Sequence, residues 1–178
     1  LNEKDRLIRP GMRIMDLGCA PGGWSQVAGR LVGAKGRVLA TDILPMDSVK
    51  NVDFIQGDFT EDATVQQLLE WLGGGKFDLI ISDIAPNITG IDSADQASSM
   101  YFLELALDTV RKTLKPGANF AAKMFQGSGS DEYLKELRQH FGKVTVRKPA
   151  ASRKESREVY LVAKGFKGES TARKPQLS

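Results

Sequence analysis

A glycine-rich turn with the sequence DLGCAPGGW occupies residues 16–24, between a short apolar segment and a segment of helical character. The apolar segment covers residues 13–17, and the helix-compatible one covers residues 25–32. Glycines in such a turn let the backbone approach a ligand that a Cβ atom would keep at a distance. The sequence therefore predicts the strand–turn–helix opening of a nucleotide-binding α/β domain.

Apolar runs alternate with helix-length segments along the whole chain. Strands are predicted at residues 13–17, 37–42, 52–56, 77–83, 118–124, 144–147 and 159–164, and helices at residues 25–32, 63–72, 94–114 and 131–141. A turn is predicted at residues 115–117, which read KPG. The apolar run at residues 77–82 is too continuous for a half-exposed strand and indicates a buried parallel one.

The connection between the last two predicted strands decides their relative direction. Residues 148–158 are too few for a parallel crossover, which needs about a dozen residues or more as well as a helix to cover the sheet. The final pair is therefore expected to be antiparallel. We predict an α/β fold with a mostly parallel seven-stranded sheet, an antiparallel last strand and helices on both faces.

Length and composition narrow the class of protein. A chain of 178 residues suits one domain, since domains commonly hold about 100–200 residues. We expect this domain to cover residues 1–165 and to be followed by a flexible basic tail at residues 166–178.

The single cysteine and single histidine exclude an intrachain disulfide and a zinc site built from these residue types. No stretch approaches the roughly 20 apolar residues that cross a bilayer. We expect a monomer without membrane or metal, in the cytoplasm or alternatively the mitochondrial matrix.

Acidic residues stand at or just beyond the ends of the first four predicted strands; they are Asp16, Asp42, Asp58 and Asp83. Ligands of open α/β sheets bind outside the carboxyl ends of the strands. An acid at the end of the second strand, here Asp42, can accept both hydroxyls of an adenosine ribose. Asp58 is placed to accept a hydrogen bond from the adenine amino group.

The charge around the turn favours one cofactor over another. The turn from Gly18 to Trp24 contains no basic residue, and Asp16 lies beside it. The pyrophosphate of a dinucleotide would need neutralising, whereas the sulfonium and ammonium of S-adenosyl-L-methionine (SAM) suit a pocket rich in carboxylates. We therefore predict SAM as the cofactor, with Trp24 as a wall of its pocket. A nicotinamide-dependent oxidoreductase is the alternative that this turn disfavours.

A lysine interrupts the apolar run of the fifth predicted strand. Burying Lys123 is costly unless it is paired, and the end of the neighbouring strand brings Asp83 close to it. Burial lowers the pKa of a lysine and an adjacent carboxylate raises it. A lysine held between these effects can accept a proton or orient an oxygen nucleophile, which suits methylation of a ribose 2′-hydroxyl.

Several motifs together resemble the FtsJ-type ribose 2′-O-methyltransferases; they lie at residues 16–26, 42–47, 56–59, 82–90, 123–127 and 148–160. The resemblance implies a Rossmann-like fold of the SAM-dependent methyltransferases. It also implies methyl transfer to the 2′-hydroxyl of a ribose, that of a uridine, in large-subunit ribosomal RNA. Lys123 corresponds to the central catalytic lysine, with Asp83 and Glu158 beside it. The residues predicted to bind SAM are Gly18, Gly22, Gly23, Trp24, Asp42, Asp58 and Asp83.

The basic residues are concentrated toward the C-terminus. Residues 143–178 contain ten Lys or Arg and three Glu, a balance of +7, whereas the rest of the chain carries −4. This asymmetry indicates a polyanionic partner such as RNA. The residues predicted to contact ribosomal RNA are Lys148, Arg153, Lys154 and Arg157. Phosphate contacts of this kind supply affinity without choosing a sequence.

One part of the family's catalytic group has no counterpart in the sequence. The family has a further lysine in an N-terminal helix that would end just before Leu1. We expect the chain without that lysine to bind SAM and to transfer methyl groups poorly. A non-catalytic module that binds SAM and RNA is therefore a second hypothesis.

Overall fold

The computed structural model describes residues 6–18, 23–58, 60–83, 92–148 and 157–168. Strands and helices alternate along these residues, in the order β1 (Arg13–Leu17), α1 (Gly23–Val32), β2 (Arg37–Asp42), β3 (Val52–Gln56), α2 (Asp62–Leu72), β4 (Phe77–Ser82), α3 (Asp92–Thr113), β5 (Leu114–Phe125), α4 (Ser130–His140), β6 (Phe141–Arg147) and β7 (Glu158–Phe166). Glycine in the left-handed conformation ends α2, where Gly73 has φ +56° and donates its N–H to Leu69 and Glu70.

The strands form one seven-stranded sheet in the order β3-β2-β1-β4-β5-β7-β6. Neighbours from β3 to β5 are parallel, whereas β7 runs antiparallel to both β5 and β6. The prediction of a mostly parallel sheet with an antiparallel last strand is confirmed. The chain progresses outward from β1 in one direction and from β4 in the other. Such a switch point is where open α/β sheets bind their ligands.

Two apolar layers cover the sheet. On one face, α2, α3 and α4 bury Leu68, Leu107 and Leu137 against strand residues such as Phe120. On the other face, here called the α1 face, Ala28 and Val32 of α1 pack with a set of strand residues comprising Ile14, Val38, Leu79, Ala121 and Val162. Helices therefore lie on both faces of the described part of the sheet, as predicted. Each buried leucine contributes about 1.5–3 kcal/mol relative to its exposed state.

Strand β5 begins earlier than the sequence indicates. It starts at Leu114, directly after α3, whereas the prediction placed a turn at residues 115–117 and the strand start at residue 118. Gly117 does have a turn-like φ of +86°. The irregularity lies inside the strand, because the pairing passes from Phe77–Leu114 to Leu79–Asn119 and so skips residues on β5. A bulge of this kind is set by pairing with the neighbouring strand.

The junction between α4 and β6 also differs from the prediction. The helix ends at His140, and Phe141, predicted as its last residue, begins a strand predicted to start at residue 144. Phe141 is buried between the rings of Phe120 and Phe166, whose centroids lie 6.3 and 5.3 Å away. Packing of this ring in the sheet core overrides the helical periodicity. Residues 169–178 of the predicted tail lie outside the described residues.

Candidate active site

The C-terminal ends of β1 to β5 are here called the carboxyl edge, where β1 and β4, the two strands of the switch point, lie side by side. The N–H of Gly18 donates to the carbonyl of Thr41, 2.9 Å away, while the N–H of Asp83 donates to the carbonyl of Leu17 at 3.2 Å. Gly18 has φ +68°, a conformation that favours glycine. The following Gly22 lies outside the described residues, and Gly23 begins α1. A crevice at this edge is lined by residues that include Trp24, Asp83 and Tyr160.

Lys123 and Asp83 form an ion pair at this edge. Their Nζ and Oδ1 atoms lie 2.9 Å apart, and the side chains are 16% and 25% exposed. The sheet register explains the meeting, because Ser82 pairs with Ala122 and each partner residue is one step further along its strand. Sequence reasoning brings the same two residues together from strand order.

The pKa of Lys123 is raised above its usual value. Burial is the largest single influence and lowers it, but the close approach and charge of Asp83 raise it. The charge of Glu158 acts in the same direction as that of Asp83. Lys123 is therefore an ammonium at neutral pH.

Strand β7 supplies two more groups to the same place. Tyr160 pairs with Lys123 across the antiparallel ladder, and Glu158 lies two residues earlier on the same face. The Trp24 side chain hydrogen-bonds to the Tyr160 hydroxyl. Burial and the charge of Asp83 raise the pKa of Tyr160. Sequence reasoning nominates Glu158 and passes over Tyr160, although the period of two in a strand was the available signal.

Asp16 is the penultimate residue of β1, beside the end of β4. Its side chain is 1% exposed, and its Oδ2 accepts a 2.7 Å hydrogen bond from the Ser25 hydroxyl. Its Oδ1 has no hydrogen-bond partner among the described residues. Burial raises the pKa of Asp16 to about 7; the Ser25 hydrogen bond opposes this rise, and the charges of Asp83 and Asp42 add to it. Asp16 is the most perturbed carboxyl group of the carboxyl edge.

Asp42 and Asp58 lie further along the same edge. The backbone links them, since the Gly57 N–H donates to the Asp42 carbonyl at 2.9 Å. Asp42 Oδ1 accepts from the Leu44 N–H at 3.0 Å, and Asp58 Oδ1 accepts from the Thr60 N–H at 2.9 Å. These local turns orient both carboxylates at the carboxyl edge.

An apolar surface adjoins Asp42. Ile43 and Leu44 immediately follow it and are both largely exposed. The predictions did not include these residues, because exposure cannot be read from an apolar pair that follows a strand.

The predicted RNA-contacting residues are only partly described. Lys148 directly follows β6 and Arg157 directly precedes β7, and both are exposed at the end of the sheet where Lys123 lies. Arg153 and Lys154 lie outside the described residues. Among the residues the structure describes, no cluster of His, Cys, Asp and Glu suits a metal ion, and no helix is both long and apolar enough to span a bilayer.

Comparisons with known proteins agree with this arrangement. The chain is 70% identical over 168 residues to a ribosomal RNA large subunit methyltransferase E of Stutzerimonas stutzeri, covering 94% of this chain and 82% of that protein. The ribosomal RNA large subunit methyltransferase E of Cellvibrio japonicus is 60% identical over 168 residues, covering 94% of this chain and 80% of that protein.

Solved structures show the same fold. A Plasmodium falciparum chain assigned as a ribosomal RNA methyltransferase superposes with a TM-score of 0.84 at 30% identity, covering 94% of this chain and 93% of that one. Fibrillarin of Aeropyrum pernix, crystallised with natively bound S-adenosyl-L-methionine, has a TM-score of 0.63 at 15% identity, with coverage of 88% and 68%. The latter likeness shows the fold alone. The FtsJ-like methyltransferase family model matches residues 1–166, and the chain belongs to that family, as its motifs predicted.

Proposed function

We propose that this protein transfers a methyl group from SAM to the 2′-hydroxyl of a ribose in large-subunit ribosomal RNA, with a uridine as the target nucleoside. The observation that carries the proposal is the half-buried Lys123–Asp83 ion pair at the carboxyl edge. The names of the relatives support ribosomal RNA as the substrate. Membership of a methyltransferase family leaves the nicotinamide-dependent alternative without support.

The residues of the carboxyl edge fit a cationic cofactor. Asp16 and Asp83 are close enough for their charges to interact, Asp42 adds a third carboxylate, and Asp16 Oδ1 is buried without a partner among the described residues. A buried polar atom without a partner is costly and is well used by a ligand that satisfies it. We assign SAM binding to Gly18, Gly22, Gly23, Trp24, Asp42, Asp58 and Asp83. When bound, SAM supplies a methyl group on a positively charged sulfur, which becomes a neutral thioether after transfer.

Lys123 has two tasks in this proposal. Held by Asp83, its side chain orients the ribose oxygen for attack on the methyl group. Burial beneath the RNA and the positive charge of the cofactor both lower the pKa of this lysine. The neutral amine so favoured takes the hydroxyl proton as the new carbon–oxygen bond forms.

The β7 residues hold this lysine in place. Glu158 and Tyr160 lie on the α1 face beside Lys123, and the charge of Glu158 favours its ammonium form. Trp24 fixes Tyr160 through a hydrogen bond to its hydroxyl, so the aromatic pair joins the cofactor side of the crevice to the lysine side. We propose that Glu158 belongs to the catalytic group because its negative charge stabilises the Lys123 side chain in the site.

The exposed cations at the end of the sheet extend the proposal to the RNA. Lys148 and Arg157 flank the two ends of the connection between β6 and β7. We propose that they, together with Arg153 and Lys154, contact phosphates near the target nucleotide. We also retain one methyltransferase domain at residues 1–165, a flexible tail, a monomer and a cytoplasmic location as proposals, the last supported by the bacterial relatives.

The substitution Lys123→Ala tests the catalytic assignment in the full-length protein. We expect methyl transfer from labelled SAM to unmethylated ribosomal particles to fall by about 10²–10⁴-fold, the usual contribution of a positioned acid–base group. The dissociation constant for SAM should stay within a few-fold of the wild-type value.

The matched control is Lys115→Ala. Lys115 lies on the same strand at its opposite end and also approaches an aspartate, with its Nζ 3.9 Å from Asp78 Oδ1. Wild-type turnover by the Lys123 variant would refute the assignment. SAM binding by the wild-type full-length protein without any methyl transfer would favour a non-catalytic binding module.

A further inference from the structure

The environment of Asp16 is unusual for a carboxyl group. It lies on β1 in the middle of the parallel part of the sheet and is 1% exposed. The Ser25 hydroxyl of α1 satisfies Oδ2, and Oδ1 has no hydrogen-bond partner in the described part of the chain. If Asp16 only held the turn in place, its hydrogen bond to Ser25 would be sufficient. That role does not explain why Oδ1 is buried without a hydrogen-bond partner.

Among the residues that the structure describes, the charged groups that act on Asp16 have the same sign as its carboxylate. From β2 the neighbour is Asp42, and from the end of β4 it is Asp83; α1 contributes the uncharged Ser25. The nearest lysine of the site, Lys123, is held by Asp83. An ionised Asp16 is therefore both desolvated and repelled in the cofactor-free protein.

We propose that Asp16 holds a proton in the cofactor-free protein and releases it when SAM binds, so that the resulting carboxylate pairs with the positive charge of the cofactor. This inference rests on the proposed use of SAM. The step breaks only the carboxyl O–H bond: its electron pair stays on the oxygen, and the proton passes to the buffer. Asp16 thereby becomes a cofactor-positioning residue in addition to those predicted from the sequence.

The extent of proton release depends on pH. Because the pKa of Asp16 in the free protein is about 7, binding at pH 6, 7 and 8 should release about 0.9, about 0.5 and about 0.1 protons. SAM affinity accordingly increases with pH as the competing proton is lost.

Titration calorimetry measures this release directly. SAM is titrated into the full-length protein at each of the three pH values in two buffers whose ionisation enthalpies differ. The dependence of the observed heat on that enthalpy gives the number of protons released. The variant Asp16→Asn should lose the pH-dependent release described above. The comparison is decisive at pH 6, where the α-ammonium of SAM keeps its proton both free and bound.

A matched control is Glu104→Gln. Burial, together with the nearby Glu136 and Asp108, raises the pKa of Glu104 on α3, away from the carboxyl edge. This variant should release the same number of protons as the wild type. This control distinguishes the effect of Asp16, which is proposed to contact the cofactor, from that of a carboxyl group elsewhere whose pKa is also raised.

Ser25→Ala gives an independent test if the asparagine variant fails to fold. Loss of the Ser25 hydrogen bond removes an interaction that lowers the pKa of Asp16, so release at pH 8 should exceed that of the wild type. Equal release by wild type and both folded variants at every pH would overturn the inference while leaving SAM binding intact. Absence of any binding heat with SAM would instead overturn the proposed function.

Discussion

Replacing Asp16 by asparagine should change how the stability of the cofactor-free protein depends on pH. The pKa of Asp16 is about 7 in the folded protein and 3.8 in the reference state. Between these values the unfolded chain loses the proton and the folded protein keeps it. The contribution of this proton to the free energy of unfolding is fully present below pH 3.8. It is lost as the pH rises toward 7 and is absent above pH 7.

The magnitude follows from the same two values. A shift of about 3 units at about 1.36 kcal/mol per unit gives about 4 kcal/mol, and structural relaxation or entry of water would reduce it. Asparagine does not titrate. The free energy of unfolding of Asp16→Asn minus that of the wild type should therefore rise by up to about 4 kcal/mol between pH 4 and pH 8. If the asparagine also changes the free energy of unfolding by an amount that does not depend on pH, the difference between the two proteins shifts by that amount at every pH. Its dependence on pH stays the same.

Urea denaturation at intervals across this pH range measures the effect, with tryptophan fluorescence and circular dichroism as two probes of unfolding. Asp131→Asn, a change of the same type in the first turn of α4, is the control for general charge effects. Parallel stability curves for wild type and Asp16→Asn would refute the assignment of a retained proton. Saturating SAM at pH 8 should stabilise the wild type more than the variant, since only the wild type offers a carboxylate.

Two further outcomes concern the ligands. Asp42→Ala should weaken SAM binding about tenfold or more, because it removes a charged acceptor worth about 1.5–3 kcal/mol; unchanged affinity in calorimetry would exclude Asp42 from the cofactor site. Replacing Lys148 and Arg157 together by alanine should reduce the salt slope of RNA binding by about 1.4, at about 0.7 per single-strand phosphate contact. If the double variant has the same salt slope as the wild type, Lys148 and Arg157 do not contact RNA phosphates. Lys115→Ala is the control variant.

Much of the fold could be predicted because its signals are local. The strand at Phe77–Ser82 is marked by a continuous apolar run, and the direction of β7 follows from the length of the preceding connection. The start of β5 and the fate of Phe141 depend instead on pairing with distant strands. Propensity within a short window contains no information about such partners.

The site shows the same division. Lys123 stands out in sequence as a charge inside an apolar strand, and strand order suffices to bring Asp83 to it. The role of Tyr160 becomes visible only when its hydrogen bond to Trp24 and its register with Lys123 are known. Similarly, the sequence places an acid at Asp16 but cannot show that one of its oxygens is left without a partner.

The position of β7 has a consequence for synthesis of the protein. This strand is the last of the described strands along the chain, yet it lies between β5 and β6 in the sheet. While a nascent chain lacks it, both neighbours expose unpaired backbone edges that favour association with other chains. Lys123 then lacks Glu158 and Tyr160 as well. Completion of the sheet and assembly of the lysine site therefore coincide, when β7 leaves the ribosomal exit tunnel.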